Sequence, residues 1–484
     1  MRYLSVFILF FVCLFLLDCR KDKGLANFGN YPNEIGKIMV LKCAVSGCHN
    51  NSSYIGAAGL NLSTWEDLFK GDNSGSPVIP FSSKFSSLCS FINTFTPDST
   101  YGTINYPTMP YGGKNLTKEE YESVRSWINN GAPDVNDFIK WSDNPSRKKI
   151  YVVNQGCDVV TVFDAATQLP MRYVNVGRFP KLSESPHMIK VSPDGQYWYV
   201  IFTNSSYMQK YRCSDDAFVA EVNLNNFLDW NTFIISDDGK RAYCVAWLSS
   251  GRIMSVNLDQ MTVMNVLFPL SFPHGIALSP DNDSLYVTAQ QSNYIFTLDK
   301  SLTAYPTQSI SLDGGPITNL SSLDPHEIAL SPDKRNFFIT CQGSNEVKML
   351  NIATQTVTKT FNVGTYPLEM SFTSNSKHKL YVTCMEDVSS FPGFHGSVSE
   401  IDVVSLTERR IQVGFMPHGI SVDEPNGLVY VASRNILSSG PPPHHTSSCS
   451  GRNGFVNFID INSFMLKSKR TEVSSDPYSV ALRK

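Results

Sequence analysis

A short segment recurs seven times in this 484-residue chain, and it restricts the possible fold more than any other feature. Its copies begin at Ser185-Pro186-His187, Trp230-Asn231, Phe272-Pro273-His274, Asp324-Pro325-His326, Tyr366-Pro367-Leu368, Met416-Pro417-His418 and Asp476-Pro477-Tyr478. After each start the apolar residues alternate, as on a half-buried strand. Most copies then carry a turn such as Ser192-Pro193-Asp194-Gly195, followed by a second strand ending in Tyr-Val, as in Leu285-Tyr286-Val287 and Leu380-Tyr381-Val382. Third strands read Tyr294 to Asp299 and Val347 to Ile352. A repeat of roughly 42 to 60 residues made of short strands gives four-stranded units that cannot bury their faces alone.

The last copy supplies only an innermost strand, Pro477 to Leu482. The strands that would complete it lie at the other end of the repeat region, in Lys149 to Val153, Val159 to Phe163 and Tyr173 to Val176. Pairing the two ends in one unit removes the exposed sheet edges and closes a ring of seven. This predicts an all-β seven-bladed propeller over residues 148–484, with a boundary between Trp141 and Arg147. These repeats resemble the YVTN family of propellers. The resemblance spans nearly all of the region and implies a binding or enzymatic scaffold, some relatives being lactonases.

The chain opens with Arg2 and a mostly apolar run from Leu4 to Leu17, too short to span a bilayer comfortably. The sequence Leu16-Leu17-Asp18-Cys19 followed by Arg20-Lys21-Asp22-Lys23 resembles a lipoprotein signal. It implies export, a signal over residues 1–19 and a membrane anchor on Cys19, with a linker over 20–32. Cleavage at another site or an uncleaved anchor is the alternative. A net charge of −3 without a basic face argues against nucleic acid as a partner. Of the eleven cysteines, Cys244, Cys341 and Cys384 sit in apolar strand patterns and read as small buried hydrophobes, and no disulfide pairing follows from the spacing.

Residues 33–140 carry different chemistry. Helical spacing at Ile35, Ile38, Met39 and Leu41 leads directly into Cys43-Ala-Val-Ser-Gly-Cys48-His49. Covalent haem attachment needs two thiols for the vinyl groups and a histidine beside the second to bind iron. Four residues separate the cysteines, where two are usual, so zinc or a disulfide also fits the motif alone. Zinc would require further ligands that do not follow nearby. Downstream, Tyr106-Pro107-Thr108-Met109-Pro110 presents a methionine between prolines, suited to hold a thioether as second axial ligand. Thr117-Lys-Glu-Glu120 is a capping box, and Tyr121, Val124, Trp127 and Ile128 form one stripe of a closing helix that stops at Gly131. Together these residues resemble a single-haem cytochrome c, which implies a small all-α domain with Cys43 and Cys48 as attachment residues and His49 and Met109 as axial ligands.

The expected architecture is therefore multidomain: a small all-α cytochrome c domain followed by an all-β seven-bladed propeller. The expected role is electron transfer in the periplasm or at the cell surface, with a redox partner protein and one haem c. The propeller would dock that partner or bind a ligand. His187, His274, His326 and His418 follow the strand-starting proline in four repeats. They face the axial channel or its rim, as structural residues or as ligands to a second metal such as copper. The stretch Gly440-Pro-Pro-Pro-His444-His445-Thr-Ser-Ser-Cys449 reads as an exposed loop or a metal clip. Two rival functions use the same residues: an oxidoreductase acting at the channel mouth, and a surface adhesion module with an accessory haem.

Overall fold

The computed structural model describes residues 28–95, 102–178, 183–305, 308–374, 376–391, 393, 395–442, 445, 449 and 451–483. The signal with Cys19, and His444, lie outside the described residues. Seven four-stranded antiparallel sheets form a closed ring. Their innermost strands are Pro186–Val191, Trp230–Ile235, Pro273–Leu278, Pro325–Leu330, Pro367–Phe372, Pro417–Asp423 and Pro477–Leu482. The last of these pairs with Lys149–Asn154, followed outward by Val159–Asp164 and Leu169–Asn175, so the two ends of the ring share one blade. Numbered along the chain, this is blade 1, and the blade starting at Pro186 is blade 2.

The repeat has a local cause and a non-local one. Before each innermost strand stands a residue with left-handed backbone: Ser185, Asp229, Phe272, Asp324, Tyr366, Met416 and Asp476. This sharp turn in the same place redirects the chain toward the axis seven times. Between blades, a fully buried threonine on the second strand donates to the next blade's innermost strand. Thr288 reaches the His326 carbonyl at 2.8 Å, Thr340 the Leu368 carbonyl at 2.9 Å and Thr383 the His418 carbonyl at 2.7 Å. Each hydroxyl also accepts an N–H from its own blade, from Gly275, Glu327 and Glu369 respectively. At these joints the threonine hydroxyl, the N–H it accepts and the carbonyl it donates to all have partners. Blades 1 and 2 are joined differently, by the buried pair Lys149–Asp216 at 2.8 Å.

A separate all-α domain is not present among the described residues, which corrects the expectation drawn from the two helices. Of the described residues between 28 and 147, helix covers only Asn33–Ile38 (α1), Trp65–Leu68 (α2), Ser87–Ile92 (α3) and Lys118–Asn129 (α4), with single turns at Met39–Cys43 and Tyr54–Gly56. The capping box forms as expected, with Thr117 and Glu120 capping α4 reciprocally. The rest is irregular because its Asn, Asp and Ser side chains take backbone N–H groups that a helix would need. Asn50 accepts from Ser52 and Ser53, Asp72 from Ser74 and Gly75, and Asn93 from Phe95. Nor is its core its own. Tyr31, Trp65, Val124 and Ile128 belong to one apolar cluster with Val153, Leu169, Met171 and Trp198 of blades 1 and 2. Phe85 stacks on Tyr173 at 4.3 Å, Ser76 donates to the Pro170 carbonyl and the Glu472 N–H donates to the Ser74 carbonyl. The N-terminal segment is thus a turn-rich layer laid against blade 1 and its neighbours.

Candidate functional site

The Cys43 to His49 loop follows directly from α1. Its helix widens into one π turn over Met39–Cys43 and ends there, since Ala44 leaves helical geometry. Cys43 is buried at the edge of the shared apolar cluster, and burial pushes its thiol up to about 12. Cys48 is half-buried, and neither thiol is in a disulfide. His49 is half-buried too, and its Nδ1 lies 3.0 Å from the Leu60 carbonyl. A carbonyl only accepts, so Nδ1 carries a proton and donates it to Leu60. Nε2 has no hydrogen-bond partner among the described residues. The His49 backbone is held as well, its N–H donating to the Cys43 carbonyl and its carbonyl accepting from Leu62. Met109 is half-buried, its N–H bonded to the Phe91 carbonyl, and it packs against the large apolar cluster to which Cys43 belongs.

These features fit a covalently held haem. The thiols are unpaired, the imidazole is fixed in the tautomer a metal ligand needs, and a thioether lies on the apolar surface that Cys43 touches. The fit concerns the donor set and its local order.

At the axis, the residues after the strand-starting prolines come together as expected. Starting from His274, the rings follow one another: His274 to His326 at 3.9 Å between centroids, His326 to His418 at 6.4 Å, His418 to Tyr478 at 3.6 Å and Tyr478 to His187 at 4.1 Å. The His418 Nδ1 donates to the Tyr478 carbonyl. Nδ1 of His187, His274 and His326 is buried without a partner among the described residues. Burial pushes all four imidazoles below the usual histidine range, His274 to about 4. They are neutral rings packed against one another at tilted angles, with His326 edge-on to His418. No group of three or more His, Cys, Asp or Glu among the described residues is arranged to hold a metal.

Two channel residues escaped the sequence reading. Glu327 and Glu369 follow His326 and Leu368 on adjacent innermost strands, and burial raises both carboxyls, Glu327 to about 8 with help from Glu369. Lys190 across the channel opposes the shift. The signal was present in Pro-His-Glu and Pro-Leu-Glu, but only blade closure places the two side by side.

Two of the Pro-rich insertion's candidate ligands, His445 and Cys449, have other partners. Cys449 pairs with Cys157, 292 residues away, and His445 bonds through Nδ1 to Glu472 at 2.6 Å. Cys157 lies between the Lys149–Asn154 and Val159–Asp164 strands, so the disulfide ties the insertion to the blade that closes the ring.

No protein-family model matches the chain, and no curated protein matches it in sequence. Solved structures do. A periplasmic gluconolactonase of Pseudomonas aeruginosa is similar with a TM-score of 0.52 at 16% identity, over 69% of this chain and 98% of that one. A functionally unknown protein from Desulfotomaculum acetoxidans gives 0.53 at 14% identity, over 69% and 98%. The likeness is one of fold. This chain is a seven-bladed β-propeller carrying an N-terminal layer.

Proposed function

We propose that this protein is an exported electron-transfer protein that carries one haem c on Cys43 and Cys48, with His49 and Met109 as the axial ligands. The observation that carries this reading is the Nδ1 contact of His49 with the Leu60 carbonyl, immediately after the second of two unpaired thiols. That bond orients the ring and raises its basicity, the role outer-shell carbonyls play for metal-bound histidines. When bound, a haem with histidine and methionine ligands cycles between two iron states one electron at a time and leaves no open position for substrate. Cys43 and Cys48 would hold it through thioether bonds, which also removes the buried thiol of Cys43 from titration. The apolar cluster against which Met109 packs would keep water from its sulfur.

Export is supported by the Cys157–Cys449 pair, a bond suited to an oxidising compartment. We read the chain as a lipoprotein anchored through Cys19 in the cell envelope, where the YVTN-type propeller docks a redox partner. Expression in a host with haem c assembly tests the reading. The wild type is expected to show a low-spin reduced spectrum that survives denaturing extraction of free haem. Met109→Ala should keep the covalent haem but shift the spectrum and lower the potential, whereas Cys48→Ala should lose most of it. An unchanged spectrum in Met109→Ala would remove Met109 from the proposal.

A further inference from the structure

A cavity of about 370 Å³ lies away from both the channel and the Cys43 to Met109 residues, between the N-terminal layer and blades 1 and 7. None of the four proposed haem-binding residues lines it. Its size is at the small end of ligand cavities. One wall is the Ser82–Ser90 stretch with α4, and the other is the outer part of the sheets around Tyr173 and Glu472. The charges in its walls are unevenly matched. Glu472 is fully engaged, accepting from the N–H and Nδ1 of His445 and from the Asn453 amide. Asp72 accepts from Ser74 and Gly75 and sits within the field of His445.

Among the described residues the cations have no such partners. Arg125 is half-buried and meets only the Tyr121 ring, 5.7 Å from its centroid, with no carboxylate among the described residues to pair it. Lys84 meets only the Phe85 ring, at 5.2 Å. A second group is also unanswered. Asn453 is 6% exposed, and its Nδ2 is used twice while its Oδ1 is buried with no partner. That oxygen is closed off from solvent, so it is an internal orphan and not a contact for the cavity. Serine hydroxyls, Ser83, Ser87 and Ser90 among them, line the wall beside Arg125 and can both give and take hydrogen bonds.

We infer that this cavity binds a small organic carboxylate bearing hydroxyl or amino donors, its carboxylate on Arg125 and its donors on the serine hydroxyls of the wall. Arg suits a carboxylate because its planar fork matches two oxygens at once. The inference does not depend on haem. Hydroxy acids and amino acids share the required chemistry, and the test separates them.

Calorimetric titration of the full-length protein with D-gluconate and with L-serine, and with uncharged sorbitol as control, reads the site. Saturable one-to-one binding of at least one of the two carboxylates is expected, with none for sorbitol and weaker binding in high salt. Gluconate alone would mark a hydroxy-acid site, and serine alone an amino-acid site. Arg125→Gln, whose side chain makes no structural bond, should weaken binding at least tenfold, and Lys84→Gln by less. No binding of either carboxylate at millimolar concentration overturns the inference, as does unchanged affinity in Arg125→Gln or equal binding of sorbitol.

Discussion

The blades and the N-terminal layer solve the same problem of backbone satisfaction in opposite ways. In the blades, strand pairing repeats seven times, and the same buried threonine joint recurs from blade to blade at Thr288, Thr340 and Thr383. In the layer, side chains such as Asn50, Asp72 and Asn93 each satisfy one turn by accepting the N–H two residues on, at no regular spacing along the chain. Periodicity makes the propeller redundant and readable. The layer is specified residue by residue, and its order depends on the propeller surface below it. That arrangement leaves the Cys43 to His49 loop free to be shaped by chemistry, while the scaffold stays indifferent to it.

The comparison breaks most visibly at a residue common to both regions. Trp198 is completely buried, stacks on Tyr211 at 3.9 Å and belongs to the cluster that also contains Trp65 and Val124. Trp198→Ala should cost about 3–5 kcal/mol. Because the core is shared, denaturant unfolding followed by propeller and layer probes should shift together. Two separate midpoints would show that the layer has a core of its own.

A smaller loss is expected within the blades alone. Thr340→Val leaves the Glu327 N–H and the Leu368 carbonyl without their partner in a buried joint, a cost of about 1–3 kcal/mol. Equilibrium denaturation measures it, and a neutral effect would mean that the joint does not contribute. In the layer the corresponding single-residue device is the α4 cap. Thr117→Ala should cost about 1 kcal/mol, seen as a lowered midpoint with the same slope.

The gentlest effect concerns pH, and it divides the channel into two levels of opposite sign. The neutral imidazoles have folded values below the ordinary 6.5, so the unfolded chain takes up protons first in acid. Their contribution is full above the ordinary histidine value and is lost as pH falls toward the folded values, about 4 for His274. Glu327 runs the other way. Its folded value is raised to about 8, so its contribution is full below the ordinary 4.5 and is lost as pH rises through 8. A melting-temperature profile should therefore fall on the acid side, a slope that His274→Gln flattens. It should also fall toward pH 8, a slope that Glu327→Gln flattens.

How far the sequence could be read follows the same division. Pro477 to Leu482 closing on Lys149 to Val153, the seven strand starts and the Thr117 capping box were all legible, because each is written in local spacing. The separate all-α domain was not a correct reading. Ile35, Val124 and Trp127 have helical spacing, but spacing does not say that their apolar face joins that of Leu169 and Met171. The Cys157–Cys449 pair and the Glu327–Glu369 juxtaposition were hidden for a similar reason. Both are made by ring closure and blade order, which bring together residues that carry no mark of one another. His49 lies between the two cases: its neighbour Cys48 was plain, whereas the Leu60 carbonyl that orients it was not.

The most direct measurement is the intact mass of the protein purified under denaturing conditions from a host that assembles haem c, with the wild type beside a Cys43→Ala, Cys48→Ala double variant. The account predicts one haem per wild-type chain, retained through denaturation and absent from the variant, with the same propeller circular dichroism in both. A wild-type chain that folds but carries no covalent haem would contradict it.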